Sequence, residues 1–503
     1  MFKRSSGVLM HISSLPGEFG IGSFGREAFE FIDMLHDAGC AYWQVLPFGP
    51  TDVWNSPYAS LSAFAGNVNF IDLESLYEEG LLTAEELNSQ RYANPYTAAF
   101  DFLNIRRIPI LKKAFSRMDE ALKAKVEDFA AKNQHWLPDY ALSTILKEKS
   151  GGKDWYEWDD EDLKLHKAEA VEKARKKNEE EILFIEFTQY LFFTQWEKVK
   201  TYANEQGIEI VGDLPMYVSL TSSDVWANKE NFDLAEDGEP KCVAGVPPDY
   251  FSEYGQLWGN PLYDWKAMKK TGYKWWMDRL QASFDLFDAV RIDHFRAFSA
   301  YWAVPYGAET AKEGKWRKGP GMEFFKLVKE KFGDAKIIAE DLGLIDEGVV
   351  KLIEKTGFPC MRVMQFAFLD GEDNIHMPHN HPKNSVAYTG THDNNTALGW
   401  LWEAEPSQRY ACLHYCGYEG EQWAEGGFKS ASVRSMIRAL WQSPSNLVVV
   451  PVQDLCGFGK DTKMNVPGVP NGNWAFRISR EQMESIDFQW LKHMNKTYYR
   501  YNG

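Results

Sequence analysis

Short apolar segments that end in polar or turn residues recur along the chain. They read GVLMHISS (7–14), AYWQVLPFGP (41–50), IEIVGDLP (208–215), FDAVRIDHF (287–295), KIIAEDLG (336–343), RVMQFAF (362–368), SVAYTGTHD (385–393) and NLVVVPVQDL (446–455). Their length and their β-branched or aromatic content predict buried strands. Helix-like segments lie between most of them: GREAFEFIDMLHDAG (25–39), MEFFKLVKEKFG (322–333), EGVVKLIEKTG (347–357) and KSASVRSMIRALWQSP (429–444). Eight strands alternating with helices predict an α/β chain built as a (β/α)8 TIM barrel.

The spacing is uneven, which predicts large, mainly helical insertions in the βα loops. One occupies about 51–206 and includes the charged helical stretch LHKAEAVEKARKKNEEEILFIEFTQYLFFTQWEKVKTYANEQ (165–206), whose charge-rich first half reads as a solvated face. A second, about 219–275, holds VAGVPPDYFSEYGQLWGNPLYDW (243–265), too rich in Gly, Pro and aromatic residues to be one regular element. The expected organisation is one catalytic barrel over 1–503 with no separate C-terminal β-sandwich.

In such a barrel the chemistry sits at the C-terminal ends of the strands. Here those ends carry Asp213, Asp293, Glu340 and Asp393, with His294 and His392 beside two of them. In VRIDHF, strand alternation puts Arg291 and Asp293 on one side and Val290, Ile292 and His294 on the other. A guanidinium beside Asp293 is expected to lower its pKa and keep it charged, as a nucleophile requires. Taken alone, the pair reads more simply as an ion pair holding the barrel rim. Glu340 ends an apolar strand, so desolvation is expected to raise its pKa and let it serve as a general acid. The plain alternative is a helix N-cap, a role for which Asp341 competes. Asp393 reads as a third, charge-stabilising carboxylate or as the cap of a helix starting in NNTALGW. One ionised carboxylate and one protonated carboxyl are the minimum for cleaving a glycosidic bond. A rim of carboxylates and histidines is also compatible with a divalent metal.

Composition narrows the ligand. The net charge of −17 disfavours nucleic acid and anionic membranes and leaves a neutral ligand as the best fit. Aromatic residues reach 15%, with 19 Trp, which suits either a sugar cleft or a large aromatic core. The six cysteines are scattered, the N-terminus lacks a signal-peptide pattern, and no apolar run is long enough to span a bilayer. A cytoplasmic protein without a cofactor or metal is expected. Other signals are set aside: HMPHNHP (376–382) reads as a loop, CLHYC (412–416) lacks a second ligand pair, and FGPTDVW (48–54) is no phosphate loop. Trp54 suits core or rim packing at least as well as a remote ligand-binding surface.

The chain resembles the amylomaltase, or disproportionating-enzyme, family of 4-α-glucanotransferases in the α-amylase-like clan. The motifs are SSLPGEFGIGSFG (13–25), WQVLPFGPT (43–51), NSPYASLSAFAGN (55–67), VGDLPMYV (211–218), AGVPPDYFSEYGQLWGNPLYDW (244–265), VRIDHFRAF (290–298), IIAEDLG (337–343), GTHDNNT (390–396) and QDLCGFG (453–459). The resemblance implies a nucleophile at Asp293, an acid/base at Glu340 and a transition-state stabiliser at Asp393. It implies a substrate-binding set of Tyr58, Asp213, Gln256, Trp258, Arg291, His294, Asp341, His392 and Asn465, the last with Pro467 in MNVPG. It implies that α-1,4-glucan segments pass between maltooligosaccharides, or from starch or glycogen, through a covalent intermediate. Hydrolysis by the same carboxylates is the competing outcome. The sequence departs from the family pattern at Lys463, Val469, Asn395 and Ala475, outside the catalytic trio, so these bear on acceptor preference and loop detail.

Overall fold

The computed structural model describes residues 2–248, 253–369, 371–469 and 471–503. Its strands are β1 (Ser5–Leu9), β2 (Tyr42–Gln44), β3 (Glu209–Leu214), β4 (Cys242–Val246), β5 (Gln256–Pro261), β6 (Ala289–Ile292), β7 (Ala300–Pro305), β8 (Lys315–Lys318), β9 (Lys336–Ala339), β10 (Cys360–Val363), β11 (Ser385–Tyr388) and β12 (Leu447–Pro451). Eight of them close a barrel in the order β1-β12-β11-β10-β9-β6-β3-β2, and every pairing in it is parallel. Parallel strands covered by helices are buried on both faces, which is why β12 reads as an unbroken LVVVP and is buried throughout. Gly212 shows how tightly the barrel is packed. A Cβ there would lie 2.1 Å from the Phe287 ring, so only glycine fits in β3 just before Asp213.

The connection from β2 to β3 carries the helical insertion. Its last helix, Glu179–Glu205, packs on helix Arg26–Asp37 and on β3 as well as on the other helices of the insertion, so it joins the insertion to the barrel. Three glutamates open it, where the helix dipole favours negative charge, and Phe187, Leu191, Phe192 and Val199 bury its inner face. The preceding charged helix, Ala168–Lys177, buries only Val171 and Ala174, as a solvated face should.

Three expectations need correction. The sixth barrel strand is Cys360–Val363, not 362–368, and Met364–Phe366 is a 3-10 turn. The 41–50 segment contributes only Tyr42–Gln44 as strand. The aromatic insertion is more regular than its composition implied: β4 and β5 join β7 and β8 in an antiparallel sheet ordered β5-β4-β7-β8. β7 and β8 lie in the connection after β6, so this small sheet is built from two different βα loops at the mouth of the barrel.

Candidate active site

The site begins with register. Asp213 on β3 pairs directly with Arg291 on β6, so their side chains emerge side by side. Arg291 Nη1 reaches both oxygens of Asp213, at 2.8 and 2.7 Å, while Nη2 donates to Asp293 Oδ1 at 2.9 Å. Arg291 and Asp213 are buried, whereas the Asp293 side chain remains 28% exposed and faces the cleft. A planar guanidinium can bridge two carboxylates in fixed directions, which a lysine cannot. Arg291 and Asp293 therefore share a side, as alternation predicts.

The charge balance differs from expectation. Burial raises the pKa of Asp293 above the usual carboxylate range, and Arg291 offsets this only in part. Glu340 extends β9 by one more ladder bond, its N–H donating to Ile292 O at 3.2 Å, which brings it beside Asp293 at the tips of adjacent strands. Burial pushes Glu340 up to about 7 against the opposing pull of Arg291. Its Oε2 accepts the His294 N–H and its Oε1 accepts the Leu342 N–H, both at 2.7 Å. Arg291 donates to Asp293 and not to Glu340, so within the pair it favours the charged form of Asp293 more directly than that of Glu340.

Across the barrel mouth, Asp393 follows β11 in a loop. It accepts from Asn465 Nδ2 at 2.7 Å and faces His392 Nε2 at 3.2 Å. Burial alone would raise its pKa, but His392 and Asn465 outweigh burial and hold it at about 2. Burial lowers His392 and Asp393 raises it, with a net upward shift. The following helix, Ala397–Glu403, is capped by Thr396, and the helix Glu347–Thr356 by Asp346, so neither Asp393, Glu340 nor Asp341 is an N-cap. Tyr58 bridges the two walls: its ring stacks on His392 and its hydroxyl donates to Asp213. Trp474, which the sequence reading did not single out, lies 5.7 Å from Tyr58 and 5.9 Å from His392, ring to ring. It sits in a loop at φ 65°, where no periodicity marks it, and a chain with 19 Trp offers no way to rank one above another.

The small sheet brings Gln256 and Trp258 to the rim. Trp258 donates to Gln256 Oε1 at 3.1 Å and meets His294 edge-on at 4.8 Å. His294 turns out of the strand with φ 47°, so the alternation ends at Asp293; burial lowers His294 to about 3 and keeps it neutral. Asp341 faces elsewhere: it accepts from Met361 N–H at 2.7 Å and Arg362 Nη1 at 3.0 Å, so it fastens β9 to β10 and does not face a sugar in the cleft. Asp249, Tyr250, Phe251 and Ser252 of the aromatic motif lie outside the described residues.

The three histidines of HMPHNHP make structural contacts. His376 accepts the Val363 N–H, His381 lies between Ser445 Oγ and His376 O, and His379 contacts Tyr415. Among the described residues no group of His, Cys, Asp and Glu has the arrangement of a metal site.

A (β/α)8 barrel with an arginine-held carboxylate, a buried carboxyl raised to about 7 and a third, depressed carboxylate at its mouth defines a carbohydrate-active enzyme of the glycoside-hydrolase type. The sequence model of the 4-alpha-glucanotransferase family, glycoside hydrolase family 77, matches residues 10–483, and the chain belongs to that family and is a 4-alpha-glucanotransferase. It is 45% identical over 506 residues to the 4-alpha-glucanotransferase of Streptococcus pneumoniae, covering 100% of this chain and 98% of the relative. It is 44% identical over 483 residues to that of Thermus thermophilus, covering 94% and 95%. The amylomaltase of Streptococcus agalactiae, solved in complex with acarbose, superposes with a TM-score of 0.95 at 39% identity, covering 99% of this chain and 100% of that one.

Proposed function

We propose that the enzyme transfers α-1,4-glucan segments by a retaining double displacement in which Asp293 is the nucleophile. Asp293 attacks the anomeric carbon of a bound maltooligosaccharide while Glu340 gives its proton to the departing glycosidic oxygen. The glucan that leaves carries that proton as a hydroxyl, and the donor segment stays on Asp293 as an ester. Glu340, now charged, takes the proton from the 4-hydroxyl of an incoming sugar, whose oxygen displaces Asp293. Two inversions give net retention. The observation that supports this reading is the difference between neighbours: Arg291 donates to Asp293 and favours its charged form, while Glu340 has no such partner and burial raises it to about 7.

Asp393 supplies a fixed negative charge on the far wall, suited to the positive charge that spreads over the ring in the transition state. Tyr58, His392 and Trp474 offer ring faces and donors to the donor sugar, and Trp258 with Gln256 lines the side from which an acceptor approaches. In this reading the enzyme's substrates are maltooligosaccharides and other α-1,4-glucans. Every cysteine is a free thiol, and among the described residues no helix is long and apolar enough to cross a membrane; the free thiols suit a reducing compartment such as the cytoplasm.

The test is pure protein with maltotriose. Glucose together with a ladder of longer chains is expected. Glucose and maltose without longer products would replace transfer by hydrolysis on the same carboxylates. Asp293→Asn is expected to abolish the ladder with the fold intact, and full activity in that variant would remove Asp293 from the mechanism.

A further inference from the structure

Each oxygen of Glu340 accepts one backbone N–H, and each donor belongs to a different loop. The His294 N–H comes from the loop after β6, and the Leu342 N–H from the loop after β9. Asp341 anchors the start of the second loop to β10, and a side chain from the first loop holds the part beyond Leu342. Arg296 donates through Nη1 to Leu344 O and through Nη2 to Asp346 Oδ2 at 3.0 Å. It is itself buried, and its guanidinium carbon lies 4.0 Å from the centre of the Trp316 ring. Trp316 is on β8, opposite Trp302 in register, with the two rings 5.2 Å apart, and Trp302 Nε1 is fixed on Ala311 O at 2.8 Å. Trp316 is 45% exposed, so it serves as a cover over Arg296 and not as part of the core.

Resting on the reading of Glu340 as the acid/base, we propose that Arg296, stacked on Trp316, is a positioning residue for that carboxyl. It holds the loop after β9 so that the Leu342 N–H stays on Oε1, and it thereby governs the pH at which the acid gives up its proton. Two features favour this over a plain loop staple. Leu344 and Asp346, which Arg296 grips, lie two and four residues after the donor Leu342. Glu340 is faced by Arg291 and Asp293 from β6 and by Arg296 itself, while Asp341 turns to Arg362 and His294 is neutral. Arg296 is thus a charged group near Glu340 that does not also touch Asp293.

The test is the pH profile of kcat/KM for maltotriose in wild type, Trp316→Leu, Trp316→Phe and Arg296→Lys, with melting temperatures alongside. Trp316→Leu keeps the charge of Arg296 and removes only its cover. Losing the Leu342 hydrogen bond removes a stabiliser of the charged carboxylate, so the basic limb is expected to move up by about half a pH unit. kcat is expected to fall about three- to tenfold, with KM changed less than about twofold. Trp316→Phe, which keeps a ring under the cation, is expected to restore the wild-type limb. Arg296→Lys is expected to move the limb as Trp316→Leu does. An unmoved basic limb in Trp316→Leu and Arg296→Lys, whatever their melting temperatures, overturns the proposal and leaves Arg296 a structural staple. A downward shift overturns it too. If the wild type itself shows no basic limb, or makes no ladder, the reading of Glu340 fails first and separately.

Discussion

The Tyr58 ring lies flat against His392, with centroids 4.9 Å apart and planes 18° from parallel, while its hydroxyl donates to Asp213 at 2.8 Å. One side chain from the loop after β2 thus ties the wall that holds Arg291 to the wall that holds Asp393. Its phenol stays protonated, because burial and Asp213 raise its pKa well above the ordinary value.

Two substitutions at Tyr58 separate these ties. Tyr58→Phe keeps the stack and loses the hydrogen bond to a buried carboxylate together with the hydroxyl's long contact to His392 Nδ1 at 3.5 Å, so kcat/KM is expected to fall about tenfold, equivalent to about 1.4 kcal/mol. Tyr58→Ala also frees the His392 ring, and a further rise in KM is expected. Steady-state kinetics on maltotriose decide it: equal losses in the two variants would mean that the stack contributes nothing.

Arg291 is the next point of leverage. It neutralises Asp213, which is fully buried, and steadies Asp293, which is not. Arg291→Lys keeps the charge but cannot span both carboxylates, so one of them loses its partner. Loss of a partner from a buried ion pair costs about 3–5 kcal/mol in the limit, and the retained charge brings the expected cost nearer 2 kcal/mol. A lower melting temperature together with a fall in kcat of at least about a hundredfold is expected. Wild-type kcat in the lysine variant would show that the fork geometry is not needed.

The sequence revealed Asp293 and Glu340 because each follows a buried strand directly. KIIAE and AVRID place an acid immediately after buried β residues, and this pattern is visible without any tertiary knowledge. The small sheet was not legible for the opposite reason. β8 is KWRK, exposed at every position, so no alternation of apolar and polar residues announces it. The sixth strand was shifted because Met364, Phe366, Ala367 and Phe368 continue its apolar look after the backbone has turned. The Tyr58–His392–Trp474 cluster joins residues from three distant segments, and no local period encodes such a contact. The proton affinity of Asp293 also eluded the sequence: Arg291 was visible beside it, but the depth of burial that outweighs Arg291 was not.

Asn465 tests the third carboxylate. Its amide donates to Asp393 Oδ1, and with His392 it holds that carboxylate at about 2. Asp393 therefore stays charged throughout any working pH. Asn465→Ala removes one donor from a charged acceptor, an effect of about 1.5–3 kcal/mol. A ten- to hundredfold fall in kcat/KM is expected, with the acid limb of the profile unmoved because Asp393 still titrates far below it. An acid limb that follows the substitution would assign that limb to Asp393.

Trp258 tests the acceptor side. Its ring is 38% exposed on β5 and touches His294, the residue whose N–H holds Glu340 Oε2. In Trp258→Ala the acceptor loses an aromatic face and water gains access to the glycosyl-enzyme. The expected outcome is a larger share of hydrolysis, read as reducing ends formed per transfer product from maltotriose. An unchanged ratio would place water exclusion elsewhere in the aromatic loop.

Glu340 links catalysis to stability. As the acid it must carry its proton, so kcat/KM is expected to fall on the basic side with a midpoint near its value of about 7. The same burial has a thermodynamic sign. The folded pKa lies above the unfolded one, so the folded state binds the proton more tightly. Below the unfolded pKa of about 4.3 the group is neutral in both states and costs nothing. As pH rises from there toward 7, the folded protein increasingly bears the cost of keeping a buried acid, and the penalty is fully developed above 7. Glu340→Ala removes that group. Its stability relative to wild type is expected to rise with pH across this window, by an amount on the order of 1–3 kcal/mol, on top of a constant loss from the deleted contacts. Denaturant titrations of both proteins at pH 5 and pH 8 measure the difference. A difference that stays flat between the two would mean that Glu340 is not held protonated by the fold, and the general acid would have to be sought among the other carboxylates of the cleft.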